Sequence, residues 1–209
     1  MARQLNSQDR EYNTAGILLA AGKSSRMGRS KQLVKYKGQP MLSWSVHACL
    51  QSNLSRVVVV LGHDKDKICK ELGDIFDHKR VSVIDNPGYQ AGISRSIMTG
   101  LAQVAEDHDS VMFLLADQPL INGETINLLL DRFMASGQDI CAPVCEGILR
   151  NPTIFRRTMY RQLLSISGDA GAKKIITANP DRTCLVQIPD AGIFQDVDTS
   201  ADLDALNSR

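Results

Sequence analysis

The sequence predicts an α/β fold, a parallel sheet covered by helices on both faces, and three observations predict it. Apolar, β-branched runs at 16–19, 57–61, 81–84, 111–115 and 140–142 are short and continuous, as in strands buried on both faces. Helix-length amphipathic segments at 41–51, 65–76, 94–106 and 124–136 separate them, and strand-helix-strand order favours parallel strands joined by right-handed crossovers. At 209 residues the chain suffices for one large domain.

Taken in order, residues 1–13 are polar and aperiodic and read as a flexible leader, leaving 14–209 as the domain. The first strand runs straight into a glycine-punctuated loop. After the fifth strand the pattern changes: 150–155 reads as a short extended segment and 156–165 as a helix. The turn 167–171 follows, then a helix over 172–178 and a strand over 184–188. A last helix over 200–206 is capped by Thr199 or Ser200, with Asp202 in its first turn.

Bulk composition excludes several classes. Lys plus Arg total 24 against 23 Asp plus Glu, so no global field favours nucleic acid or an anionic membrane. No apolar run approaches the roughly 18 residues that cross a bilayer, and the polar opening lacks the apolar core of a signal peptide. A cytoplasmic protein is expected. Cys49, Cys69, Cys141, Cys145 and Cys184 are odd in number and scattered, which suits reduced thiols better than a disulfide framework or a zinc site. His47, His63, His78 and His108 stand singly.

Four segments carry candidate chemistry. The first is Leu19-Ala20-Ala21-Gly22-Lys23-Ser24-Ser25 with Arg26, Met27, Gly28 and Lys31: permissive glycines bring backbone N–H groups close to an anion, and Lys23, Arg26 and Lys31 add charge. It reads as a triphosphate clamp or as an ordinary strand-to-helix turn with solvated Lys and Arg, and neither Gly-x-Gly-x-x-Gly nor a P-loop frame is present. The second is Ala116-Asp117-Gln118-Pro119, where a carboxylate ends the most apolar strand. Asp117 reads equally as a turn or helix cap and as a magnesium ligand. The third is Asp196-Val197-Asp198-Thr199, whose carboxylates fall on one side of an extended chain, either sharing a cation or solvated. The fourth is the loop 86–101, in which Gly92, Ser94 and Ser96 precede or open a helix. The serines read as caps, or the helix start offers free N–H groups to a base, ribose or phosphate.

These segments, with Gly168-Asp169-Ala170-Gly171-Ala172, resemble the MobA/MocA-like nucleotidyltransferases that attach a nucleotide to molybdopterin, and within them the molybdenum cofactor cytidylyltransferase branch. The resemblance implies a three-layer α/β/α, Rossmann-like (glycosyltransferase-A-like) fold with a mostly parallel central sheet. It also implies Mg²⁺, a nucleoside triphosphate and molybdopterin as substrates, and a molybdoenzyme or its accessory protein as recipient. Ala20-Ala21-Gly22 resembles the CTP-using enzymes more than the GTP-using ones. Two positions depart from the usual pattern: Arg150-Asn151-Pro152 stands where members often have Gly-His-Pro, and Lys173 where they often have Arg.

The roles implied are Lys31 and Arg26 on the triphosphate and backbone N–H groups of 21–25 around the outer phosphates. Asp117 would hold the metal with Asp198 or Asp196, Ser94 and Ser96 would lie near the base or ribose, and Asn151, Asp169 and Lys173 would face the acceptor. Lys31 is expected to be an exposed loop residue of little structural weight. Rival readings are a GTP-dependent guanylyltransferase, another transferase acting on a sugar or alcohol phosphate, and a cofactor carrier without chemistry.

Overall fold

The computed structural model describes residues 13–24, 27–169 and 171–208, so all of the expected leader but Asn13 lies outside the described residues. The elements begin with β1 (Thr14–Leu19), β2 (Lys35–Tyr36), β3 (Gln39–Pro40), α1 (Met41–Leu50), β4 (Arg56–Leu61), α2 (Lys65–Glu71) and α3 (Gly73–Phe76). They continue with β5 (Val81–Asp85), α4 (Ile93–Leu101), β6 (Ser110–Leu115), α5 (Gly123–Ser136), β7 (Ile140–Cys145) and β8 (Ile148–Leu149). The last are β9 (Thr153–Arg156), α6 (Tyr160–Leu163), α7 (Lys173–Ala178), β10 (Thr183–Gln187) and α8 (Ser200–Asn207).

The main sheet has the order β10-β7-β9-β6-β1-β4-β5, with β8 attached to β7. Strands β6, β1, β4 and β5 are parallel neighbours, and β9 runs antiparallel between β6 and β7. Alternate residues of the strands feed two cores. Leu18, Val57, Val59 and Leu114 pack with α1 and α5 on one face. Ile17, Val58, Val60 and Phe113 pack with α4, α6 and α7 on the other. The predicted three-layer, mostly parallel architecture is therefore what the chain adopts. A smaller core joins the β2–β3 hairpin to α8 through Val34, Tyr36, Met41, Val197, Leu203 and Leu206.

Three expected helices differ in detail. The segment 65–76 breaks at Leu72, whose φ of −112° ends α2 before Gly73 starts α3. Leu72 is buried, and Gly73 adds the weakest helix propensity short of proline. The segment 94–106 is α-helical only to Leu101 and continues as turns. The segment 156–165 splits into the end of β9, a 3₁₀ turn and the single-turn α6. At α8 the cap is Thr199: its hydroxyl accepts from the Asp202 N–H while Asp202 accepts from the Thr199 N–H, a reciprocal capping box.

Candidate active site

Strand order places the site. From β1 the chain steps outward to β4 and β5, then returns to add β6 on the other side, so the order reverses between β1 and β6. Ligands of open α/β sheets bind beyond the carboxyl ends of strands at such a point. Leu19 pairs with Leu115, and the Ala116 N–H donates to the Leu19 carbonyl at 3.3 Å, so the loop after β1 and Asp117 after β6 emerge side by side.

The first loop is held from beneath. Gln32 donates from Nε2 to the carbonyls of Ala20 (2.7 Å) and Gly22 (3.1 Å), and Ser24 Oγ accepts from the Lys31 N–H at 3.2 Å. Ser30 Oγ donates to Asp64 Oδ2 at 2.7 Å, tying the loop to the end of β4. The N–H groups of Gly22, Lys23 and Ser24 carry no hydrogen bond among the described residues and remain free for oxyanion oxygens.

The cavity that Gly22 and Ser24 line also holds a charge cluster. Lys31 Nζ donates to Asp117 Oδ2 at 2.5 Å and to Asp198 Oδ1 at 3.0 Å. With 17% of its side chain exposed, Lys31 is not the exposed loop residue expected, because its ammonium turns inward to pair with both acids. Burial acts to lower its pKa, but the charges and hydrogen bonds of Asp117 and Asp198 outweigh that and raise it above the ordinary lysine value. Asp117 is not a helix cap: the cap of α5 is Asn122, which accepts from the Thr125 N–H at 2.9 Å. Asp117 Oδ1 is buried without a partner among the described residues, a costly arrangement for a carboxylate oxygen. An unsatisfied oxygen beside a second carboxylate suits a hard divalent cation that takes its remaining ligands from substrate phosphates.

A cavity of about 330 Å³ brings most of the predicted residues together: Leu19, Ala20, Ala21, Gly22, Ser24, Lys31, Gly92, Ser96, Asp117, Asp169 and Asp198. Others lie elsewhere. Lys23 and Gly28 line a wider cavity on the far side of the loop, with Lys35 and Lys67. Asn151 and Lys173 line an adjoining cleft. Ser25 and Arg26 lie outside the described residues. Asp196 is held by Gln118 Nε2 at 2.8 Å and does not line the main cavity. Partial desolvation, then repulsion from Asp117, raises its pKa above the usual carboxylate value.

The start of α4 departs from both sequence expectations. Neither Ser94 nor Ser96 caps the helix; Gly92 is the N-cap. Nor are the first N–H groups free, since Ile93 donates to Asp169 Oδ1 at 3.3 Å and Ser94 to the Gly168 carbonyl at 3.1 Å. Ser94 is buried, and Ser96 Oγ accepts from Asn86 Nδ2 at 3.0 Å. Gly92 is required here twice over: its φ is +99°, and a Cβ would stand 2.5 Å from the Gly168 carbonyl carbon. Sequence reasoning missed Gln32 and Tyr89, which line the cavity. The signal for Gln32 was a long amide directly after the lysine of a loop whose inward carbonyls need donors.

Gly22 and Ser24, with unbonded amides, line one cavity with a lysine and two acids at the sheet's reversal point, an arrangement whose chemistry suits a polyphosphate accompanied by a divalent cation. That is the class of site found in nucleotidyltransferases. The chain belongs to the family of the MobA-like NTP transferase domain, whose model matches residues 16–183. It is 26% identical over 197 residues to the purine catabolism protein PucB of Bacillus subtilis, covering 91% of this chain and 94% of that protein. It is 27% identical over 194 residues to the nicotine blue oxidoreductase of Paenarthrobacter nicotinovorans, covering 88% and 91%. Among solved structures, Rv0371c of Mycobacterium tuberculosis superposes with a TM-score of 0.82 at 23% identity, over 95% of this chain and 98% of that one. A manganese complex of Rv0371c superposes with a TM-score of 0.77 at 22% identity, over 93% and 98%. Among the described residues no helix is long and apolar enough to cross a membrane.

Proposed function

We propose that this protein transfers CMP from CTP to the phosphate of molybdopterin and releases pyrophosphate. One observation carries the reading: Lys31 bridges Asp117 and Asp198 in the same cavity that Gly22 and Ser24 line. An acceptor phosphate oxygen attacks the α-phosphorus, the bond from that phosphorus to the bridging oxygen of the β-phosphate breaks, and pyrophosphate departs with the electron pair. The protein supplies no nucleophile, so its contribution is positioning and charge neutralisation.

Asp117 and Asp198 would hold Mg²⁺, a choice of metal that the Rv0371c manganese complex supports only to the level of a divalent cation. When bound, the ion neutralises phosphate charge and polarises the reacting phosphoryl group. Lys31, already poised between the acids, takes charge on the triphosphate and on the departing pyrophosphate, joined by Arg26. The amides of 22–24 cradle the outer phosphates. Ser96 lies on the ribose and base side, and Asp169 faces the acceptor, as do Asn151 and Lys173 from the adjoining cleft. CTP is favoured over GTP by the Ala20-Ala21-Gly22 form of the loop. The site of action we assign is the cytoplasm, with a molybdoenzyme or its accessory protein as recipient.

Incubation with Mg²⁺, labelled CTP or GTP and molybdopterin, followed by identification of the dinucleotide, tests the reading. A cytosine dinucleotide with stoichiometric pyrophosphate supports it. A guanine dinucleotide reassigns the donor, and transfer of intact cofactor without pyrophosphate would replace the enzyme by a carrier.

A further inference from the structure

The cleft beside the nucleotide cavity contains a charge, that of Arg150, which no described residue pairs. It has a volume of about 130 Å³ and adjoins the main cavity, with Leu19, Ile93 and Leu115 lining both. Apolar walls flank a polar end formed by Arg150, Asn151, Thr153 and Lys173, and no acid among the described residues lines it. Arg150 Nε and Thr153 Oγ1 are both buried and without a hydrogen-bond partner among the described residues. Thr153 is only 3% exposed. Arg150 also forms no ion pair among them; its backbone alone is engaged, with the N–H donating to the Pro143 carbonyl at 2.9 Å. A guanidinium serving structure would find a carbonyl or carboxylate, as Arg157 and Arg182 do. An orphaned donor in a cavity is instead a cost that a ligand acceptor recovers.

We propose that Arg150, supported by Lys173, anchors a second electron-rich group of the acceptor, at the end remote from the phosphate that reacts. The acceptor class is a phosphate monoester with a flat ring body whose faces fit between the cleft walls and an anionic or carbonyl oxygen at its far edge. Thr153 Oγ1 gives that edge a second hydrogen-bond partner. The inference rests on the nucleotidyl-transfer reading and adds the residue that selects the acceptor.

The test compares wild type, Arg150→Met and Arg150→Lys by equilibrium dialysis against molybdopterin, by turnover with Mg²⁺ and CTP, and by thermal unfolding without ligand. Arg150→Met is expected to retain molybdopterin at least about tenfold more weakly, the value of one charged hydrogen bond. Arg150→Lys recovers part of the loss, the KM for CTP does not move, and the ligand-free Tm of Arg150→Met is no lower than that of wild type. Undiminished retention by Arg150→Met, or a lowered ligand-free Tm in both variants, overturns the inference. If wild type retains molybdopterin through Arg150 but forms no dinucleotide, nucleotidyl transfer falls and the anchor stands. If wild type does not retain it, both fall.

Discussion

Lys31 forms two charged hydrogen bonds, and each makes a different demand on a substitution. Lys31→Ala removes the cation that lies on the triphosphate, so kcat is expected to fall by about 100-fold or more. The same change leaves Asp117 and Asp198 facing one another without their shared ammonium, so the Tm falls as well, and added Mg²⁺ restores more of it than in wild type. Full activity in Lys31→Ala would remove the residue from the mechanism. Asp117→Asn keeps the shape and loses the charge: pyrophosphate release should drop by about two orders of magnitude while the Tm moves by no more than about 3 °C. A large fall in Tm with near-normal turnover would return Asp117 to a structural role. In the sequence Lys31 stood out as a cation after a glycine loop, Asp117 as an acid ending the most apolar strand, and Asp198 as one of two carboxylates at alternate positions of an extended segment. What the sequence did not show is that Lys31 joins the two acids, since those contacts span 86 and 167 residues. Gln32 was missed for a related reason: its partners are carbonyls, which every residue carries, so its only mark in the sequence was its place directly after Lys31.

Among the elements, α4 is tightly constrained. It packs against the sheet through Gly100, where a Cβ would come within 2.4 Å of Ile17 Cγ2 and 3.0 Å of Val60 Cγ2. Gly100→Val is therefore expected to destabilise the protein by about 1–3 kcal/mol through overpacking, measured by denaturant unfolding. An unchanged midpoint would show that the helix shifts freely. The long apolar strands were legible because burial on both faces leaves an unbroken signal. The short β8 and the β2–β3 hairpin were not, since two-residue strands carry no period. The antiparallel course of β9 was equally hidden: a four-residue strand looks the same in either direction, and direction is fixed by the connection from β7. The capping contacts at α4 come from Gly168 and Asp169, so local reading of Ser94 and Ser96 assigned the caps wrongly.

Across the whole molecule, His108 is a buried titratable group, 7% exposed, whose carbonyl receives Arg157 and Tyr160. Burial, assisted by Arg56, holds its pKa below the ordinary 6.5. Above 6.5 both folded and unfolded states carry a neutral ring and stability is fully present. As pH falls below 6.5 the unfolded chain takes up the proton first, so stability declines until the pH reaches the lower folded value. The denaturant midpoint is expected to be lower at pH 5.5 than at pH 7.5, and His108→Leu should flatten that slope; an equal slope in the variant would assign it to other groups.

The architecture itself followed from the alternation of apolar runs and amphipathic segments, and the site's location followed from the reversal of strand order between β1 and β6. The account depends on one convergence at that point: a single metal and a triphosphate shared by the first loop, Lys31 and the two acids. Anomalous diffraction from crystals soaked with Mn²⁺ and a non-hydrolysable CTP analogue tests it directly. The account predicts one strong manganese peak ligated by Asp117 and Asp198, with phosphate oxygens on Lys31 and on the N–H groups of 22–24. Nucleotide bound with no metal at those carboxylates, or a metal seated elsewhere in the sheet, would contradict it.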